Sequence, residues 1–253
     1  MVKIFALPAN EGDFIWVAYG ENEVYSHILI DGGTDECGEE FASIISIIDE
    51  RKEKIEALVL THVDYDHIQG ALEGICRISN DILDRTVKRI YFNTYQGIHR
   101  NLKGTGEILE SSVCIEDQIR VNQNYKEYGV KDGIKFGELL SEIGLKDRLV
   151  DYVVYGQQAV LPNGATMRFI SPGEKELIKF ANEWEKYERE NEYVQYASNL
   201  EMVKKNLADL MQEKLLSDSS PNNASSIAFI FEYHSIKLAF LGDAKPSVCL
   251  QGI

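Results

Sequence analysis

The sequence predicts an α/β domain with a β-rich start, a helix-and-strand middle and a late hairpin. Three observations carry that expectation. Residues 1–33 alternate short β-branched and aromatic runs with turn clusters. From 39 to 93, apolar residues at helical spacing alternate with short apolar runs, which is the rhythm of βα units. Near the end, two apolar runs flank Glu232-Tyr233-His234-Ser235, the pattern of a hairpin.

In chain order, strands are expected at 2–7, 14–19 and 27–30, with Pro8 to Asp13 as a turn cluster between the first two. The third strand is apolar on both faces and should be interior. A helix over 39–54 presents Phe41, Ile44, Ile45, Ile47 and Ile48, and a strand over 57–60 follows it. A short helix over 70–79 and a strand over 89–93 come next. Residues 94–132 read as loops and short helices, and 135–143 as a helix on Phe136, Leu139, Leu140 and Ile143. Strands over 149–154 and 166–170 are expected around an Asn163-Gly164 turn. Ser171-Pro172-Gly173 opens a long charged helix over 174–216, whose stripe of Leu200, Val203, Leu207, Leu210 and Met211 reads as a packing face. The hairpin pairs 227–231 with 237–241. With no internal repeat or low-complexity linker, 1–253 is read as one domain with helical insertions at about 95–148 and 174–216.

Composition narrows the function classes. A net charge of −15 argues against a broad basic nucleic-acid surface, although bound metal can neutralise a scissile phosphate locally. Cys37, Cys76, Cys114 and Cys249 are widely spaced, so neither a disulfide framework nor a structural zinc site is expected. The start at Met1 shows no signal-peptide pattern and no apolar run reaches ~20 residues, so a cytoplasmic protein without a membrane segment is expected.

The chemistry concentrates in Thr61-His62-Val63-Asp64-Tyr65-Asp66-His67, after the 57–60 strand. Buried ionisable groups are costly unless paired or bound to metal. The His-x-Asp-x-Asp-His spacing lets alternating residues of an irregular loop converge on two neighbouring cations. Nothing marks a Ser-His-Asp or Cys-His nucleophile. His27 opens an apolar strand and reads as a buried or edge residue, His99 as part of a solvated loop, and His234 as a hairpin-tip residue remote from Asp243. The Lys88-Arg89 and Lys204-Lys205 pairs read as solvated faces, and Tyr65 either lines the substrate mouth or packs.

Together with Asp31-Gly32-Gly33 after the meander and Leu241-Gly242-Asp243 after the hairpin, that motif resembles the metallo-β-lactamase superfamily, in order and over essentially the whole chain. Asp64 stands where the usual motif has its second histidine. With Gly12-Asp13 early and Asn222-Asn223-Ala224-Ser225-Ser226 before the hairpin, this variant is similar to the ComEC-like, competence-protein nuclease branch. The resemblance implies a four-layer αββα sandwich. It implies that His62 and Asp64 bind one divalent ion, that Asp66 and His67 bind a second, and that Asp243 bridges them. Asp66 would also position the attacking water, and Asp31 would support the histidine loop. Asn222 or Asn223 stands where the superfamily has the first metal's third histidine, so either is a candidate third ligand.

Carboxylates in place of imidazoles make the donor set harder, which favours Mn²⁺ over Zn²⁺, with Mg²⁺ also accommodated. The expected activity is metal-dependent hydrolysis by a metal-bound hydroxide, on a small-molecule or nucleic-acid phosphodiester. The alternatives are hydrolysis of a lactone, thioester or β-lactam, or a non-catalytic binding or signalling module with a protein partner or as an oligomer. The superfamily places one more histidine on the second metal, well after Gly-Asp. Here only ten residues follow Asp243, so the last C-terminal elements are expected to be missing.

Overall fold

The computed structural model describes residues 1–102, 129–190 and 220–253. Its strands are β1 (Val2–Ala6), β2 (Ile15–Glu21), β3 (Val24–Ile30), β4 (Lys54–Val59), β5 (Ile90–Tyr91), β6 (Leu149–Val150), β7 (Gln158–Val160), β8 (Thr166–Ser171), β9 (Ala228–Tyr233) and β10 (Ile236–Phe240). Its helices are α1 (Gly38–Glu50), α2 (Tyr65–Cys76), α3 (Asn80–Thr86), α4 (Tyr95–Leu102), α5 (Val130–Glu142), α6 (Glu174–Glu190), α7 (Pro221–Ala224) and α8 (Pro246–Gly252).

One sheet runs β1-β2-β3-β4-β5-β6 and a second runs β10-β9-β8-β7. The first is antiparallel through β3 and parallel from β3 to β6. The parallel register sets Ile30 beside Val59, so the chain leaves β3 and β4 at the same end. Asp31 N–H donates to Val59 O at 2.8 Å, which fastens the Asp-Gly-Gly turn to the exit of β4. Ligand sites of such sheets lie beyond the carboxyl ends of parallel strands, and the His-Asp cluster leaves β4 there.

The apolar pattern explains the packing. Phe41, Ile44, Ile45 and Ile48 of α1 are buried on one stripe, in a cluster with Leu29 and Leu58 and with the other helices of that side. On the opposite face, Val17, Ile28 and Val59 join Met167, Phe169, Phe229 and Phe231 of the second sheet in a separate cluster. Strand β3 therefore buries both faces, as expected for an interior strand. Beyond the second sheet, Ile170 and Ala228 pack on Cys249 of α8.

Several boundaries differ from the sequence expectation. The 149–154 run is strand only at Leu149–Val150, because the Asn93 side chain takes both backbone groups of Val153, at 2.6 and 3.0 Å. That stops ladder pairing. Strand β6 then belongs to the first sheet, and the partner of β8 across the Pro162–Gly164 turn is β7. Helix α1 ends at Glu50, where Lys52 turns the chain with φ of 59°. Helices α3, α7 and α8 were not anticipated; by sequence, residues 217–223 read as a loop. The expected stripe from Leu200 to Met211, Lys204-Lys205 and Cys114 lie outside the described residues. Among the described residues, no helix is long and apolar enough to cross a membrane.

His27 is buried, as its position on an apolar strand predicts. Trp16 Nε1–H donates to His27 Nδ1 at 3.0 Å, and His27 Nε2 lies 2.8 Å from Glu53 Oε2. Indole nitrogen can only donate, so Nδ1 must be the acceptor and the Nε2 proton faces Glu53. Protonating Nδ1 would set two donors against each other. Burial lowers the His27 pKa below its usual 6.5, with Arg51 also lowering it and Glu53 opposing. A depressed histidine contributes stability that is present above pH ~6.5 and lost as pH falls through the folded value. Thermal melts in chelator at pH 7.5 and 5.5 should show a smaller acid-induced loss for His27→Gln than for wild type. Equal losses would remove His27 from the acid response.

Candidate metal centre

The motif splits between loop and helix, which corrects the expectation of a continuous irregular loop. Asp64 holds extended geometry just before α2, and its carbonyl accepts from His67 N–H at 3.0 Å and Ile68 N–H at 3.1 Å. Tyr65, Asp66 and His67 thus form the first helical turn. Ile68, Ala71, Leu72 and Ile75 continue the apolar stripe up to the motif, and Asp66 suits the positive end of the helix dipole.

Close backbone approaches set the site's dimensions. A side-chain carbon on Gly70 would collide with the Gly32 carbonyl, so α2 rests directly on the Asp-Gly-Gly turn. Gly70→Ala is expected to destabilise the fold by about 1–3 kcal/mol, the usual range for overpacking. Denaturant unfolding checks this, and an unchanged midpoint would contradict it. Gly242 turns with φ of 49°, and a Cβ there would stand 3.1 Å from Thr61. Ile227 N–H donates to Thr61 O at 2.9 Å. These contacts bring Asp243 from the second sheet to the motif of the first.

Asp31 anchors the two imidazoles. Its Oδ1 accepts from Thr61 N–H, and its Oδ2 from Thr61 Oγ1–H, each at 2.7 Å. The same Oδ2 lies 2.8 Å from His67 Nδ1. Thr61 gives its hydroxyl proton to Asp31, so at 2.9 Å it accepts from His62 Nδ1–H. Both histidines therefore turn Nε2 toward the motif carboxylates, with ring centroids 4.3 Å apart. His62 Nε2 is buried and has no hydrogen-bond partner among the described residues.

Asp243 spans the pair. Its Oδ2 is 4.0 Å from His62 Nε2 and its Oδ1 is 3.8 Å from His67 Nε2. Asp64 Oδ2 lies 3.5 Å from His62 Nε2, and Asp66 Oδ2 lies 3.8 Å from His67 Nε2. The imidazoles form a buried floor and the three carboxylates a partly exposed rim. His62, His67 and Asp243 meet the spacing of a metal-binding trio. These donors fit a divalent cation, since a buried nitrogen lone pair without a donor is costly unless it ligates.

The electrostatics follow from this crowding. Burial pushes His67 down, but the Asp31 charge and hydrogen bond, with Asp66 and Asp243, outweigh it and carry its pKa to about 9. Burial pushes Asp64 up, yet His62, Asn222 and His67 hold it below the ordinary carboxylate value.

Two further groups were less legible in the sequence. Asn222, buried in α7, donates from Nδ2 to Asp64 Oδ1 at 2.7 Å, so it positions that carboxylate. Asn223 offers its backbone N–H to Ser220 Oγ at 3.4 Å. Asp13 forms a second trio with Asp31 and His67. The sequence placed Asp13 in a turn and in the early Gly12-Asp13 pair of the resemblance but gave it no role at a metal, and Gly12 turns there with φ of 72°. His99 is on α4 and His234 is at the β9–β10 turn, and neither belongs to a metal-binding trio among the described residues.

Residues 17–82 match the model of the metallo-beta-lactamase superfamily, a span that contains Asp31-Gly32-Gly33 and the His-Asp motif. Proteins of that superfamily are generally metal-dependent hydrolases that bind one or two divalent ions. Comparison with curated proteins finds no match. Matching solved structures include a Cronobacter sakazakii metallo-beta-lactamase with a HARLDQ motif, at 16% identity over 66% of this chain and 48% of that one, with a TM-score of 0.28. A mutant of the same protein matches at 17% identity over 63% and 47%, with a TM-score of 0.27. The chain spans about half the length of these two structures.

Proposed function

We propose that this chain is a metallo-β-lactamase-like hydrolase of the ComEC-like branch that cleaves phosphodiesters with two divalent cations. In this reading residues 1–253 form one four-layer αββα domain with helical insertions at about 95–148 and 174–216. The supporting observation is the placement of Asp243 with one oxygen toward each imidazole, beside a His62 Nε2 that lacks any hydrogen-bond partner among the described residues.

His62 and Asp64 would hold the first ion and His67 and Asp66 the second, with Asp243 shared. Asn222, which donates to Asp64 Oδ1, would keep that carboxylate turned toward the ion. Asp31 and Thr61 hold the ring orientations, so ligand geometry is set before substrate arrives. When bound, paired divalent ions supply an activated water and offset charge on the phosphoryl oxygens. Asp66, on the rim, would orient that water by accepting its hydrogen bond. The carboxylate-rich set suits Mn²⁺ or Mg²⁺ better than Zn²⁺.

A divalent-ion screen on bis(p-nitrophenyl) phosphate tests this reading. Cleavage is expected with Mn²⁺, and Asp64→Ala should abolish it. Failure with Mn²⁺, Mg²⁺ and Zn²⁺ alike, or an Asp64→Ala rate equal to wild type, overturns it. A lactone, thioester or β-lactam panel run beside it reads the alternative hydrolases.

A further inference from the structure

The turn between β1 and β2 brings to the centre a carboxylate, Asp13, to which the resemblance assigned no metal. This turn is tightly held. Asn10 Nδ2 donates to Thr34 Oγ1 at 3.0 Å and to Glu36 Oε2 at 2.8 Å. Gly33 N–H donates to Asp13 O at 3.0 Å. Gly12 lies against the Asp66 carbonyl so closely that a Cβ would collide with it. The backbone beside Asp13 is thereby fixed to the two segments that carry Asp31 and Asp66.

A carboxylate oxygen of Asp13, one of Asp31 and a ring nitrogen of His67 all lie within 4.8 Å of one another. Both Asp31 oxygens are already committed to Thr61 and His67. The Asp13 side chain makes no hydrogen bond or ion pair among the described residues, so its carboxylate is the open donor of the trio. Asp31, Asp243, His67 and His62 are the charged groups that act on the Asp13 carboxylate. The buried, unpartnered His62 Nε2, grouped with His67 and Asp243, points independently to a cation at the centre.

Resting on the two-cation reading above, we infer that Asp13 is a fourth protein ligand of the cation on the His67 side. His67, Asp66 and Asp243 alone give that cation three protein donors. Asp13 completes one nitrogen and three carboxylates, a hard set suited to Mn²⁺ or Mg²⁺. It also ties the β1–β2 turn to metal occupancy, since that turn then closes one wall of the site.

Calorimetric titration of the metal-depleted full chain with Mn²⁺, with metal analysis after desalting, tests the inference without relying on activity. Wild type should hold two ions. Asp13→Asn and Asp13→Ser should hold one, or take the second with at least ~10-fold weaker affinity, while the tighter event stays within about threefold of wild type. Melts in chelator establish that each variant is folded, and the two substitutions guard against loss of either one. Two ions bound with wild-type affinities in both variants overturns the assignment of Asp13. One ion or none in wild type overturns the two-cation reading itself.

Discussion

Asp243→Ala is expected to lower phosphodiester hydrolysis by about 10³-fold or more while leaving the fold nearly as stable as wild type. The size follows from its place. One of its oxygens faces each imidazole, at 4.0 and 3.8 Å, so its loss removes a donor from both proposed ions at once. Metal ions supply several kcal/mol of charge stabilisation to such reactions, and each 1.36 kcal/mol is tenfold in rate. The side chain is 44% exposed and makes no hydrogen bond among the described residues, so truncation should cost at most ~0.5 kcal/mol of stability. Steady-state rates with Mn²⁺, set beside denaturant unfolding in chelator, separate the two effects. A rate within tenfold of wild type would show that Asp243 does not bridge.

Asp31→Ala should behave in the opposite way, with a large loss of stability even without metal. Asp31 is completely buried and accepts three hydrogen bonds, two from Thr61 and one from His67. With His67 raised to about 9, the pair is ionic at neutral pH. Removing one partner of a buried ion pair costs about 3–5 kcal/mol, because the other charge is left uncompensated. For a chain of this size that is a fall in melting temperature of roughly 6–20 °C. The sign with pH follows: a raised histidine stabilises fully below pH ~6.5, and the contribution fades as pH rises through about 9. In chelator, the gap between wild type and Asp31→Ala should be widest near pH 6 and narrow above pH 9. A gap that widens with alkali would contradict the pairing.

Much of this arrangement was legible because it rests on local periodicity. The α1 stripe, the doubly apolar β3 and the final hairpin each follow from spacing alone. The density of His62, Asp64, Asp66 and His67 marked a candidate site for an equally local reason, the cost of burying such groups unpaired. What escaped depends on distant contacts. Strand β6 stops at Val150 because Asn93, 60 residues away along the chain, takes the backbone of Val153. The positions of Asn222 and Asp13 needed the fold as well. Asn222 meets Asp64 across 158 residues, and Asp13 reaches His67 only because two glycine contacts allow backbones to touch. The first helical turn of α2 within the motif was missed because its polar residues mask an apolar stripe that begins only at Ile68.

The most direct test of the two-cation centre is an anomalous difference map from a crystal of the chain soaked in Mn²⁺. The account predicts two peaks, one at bonding distance from His62 Nε2 and one from His67 Nε2, with Asp243 contacting both. A map with no peak beside either imidazole, under conditions where Mn²⁺ reaches the crystal, would contradict it.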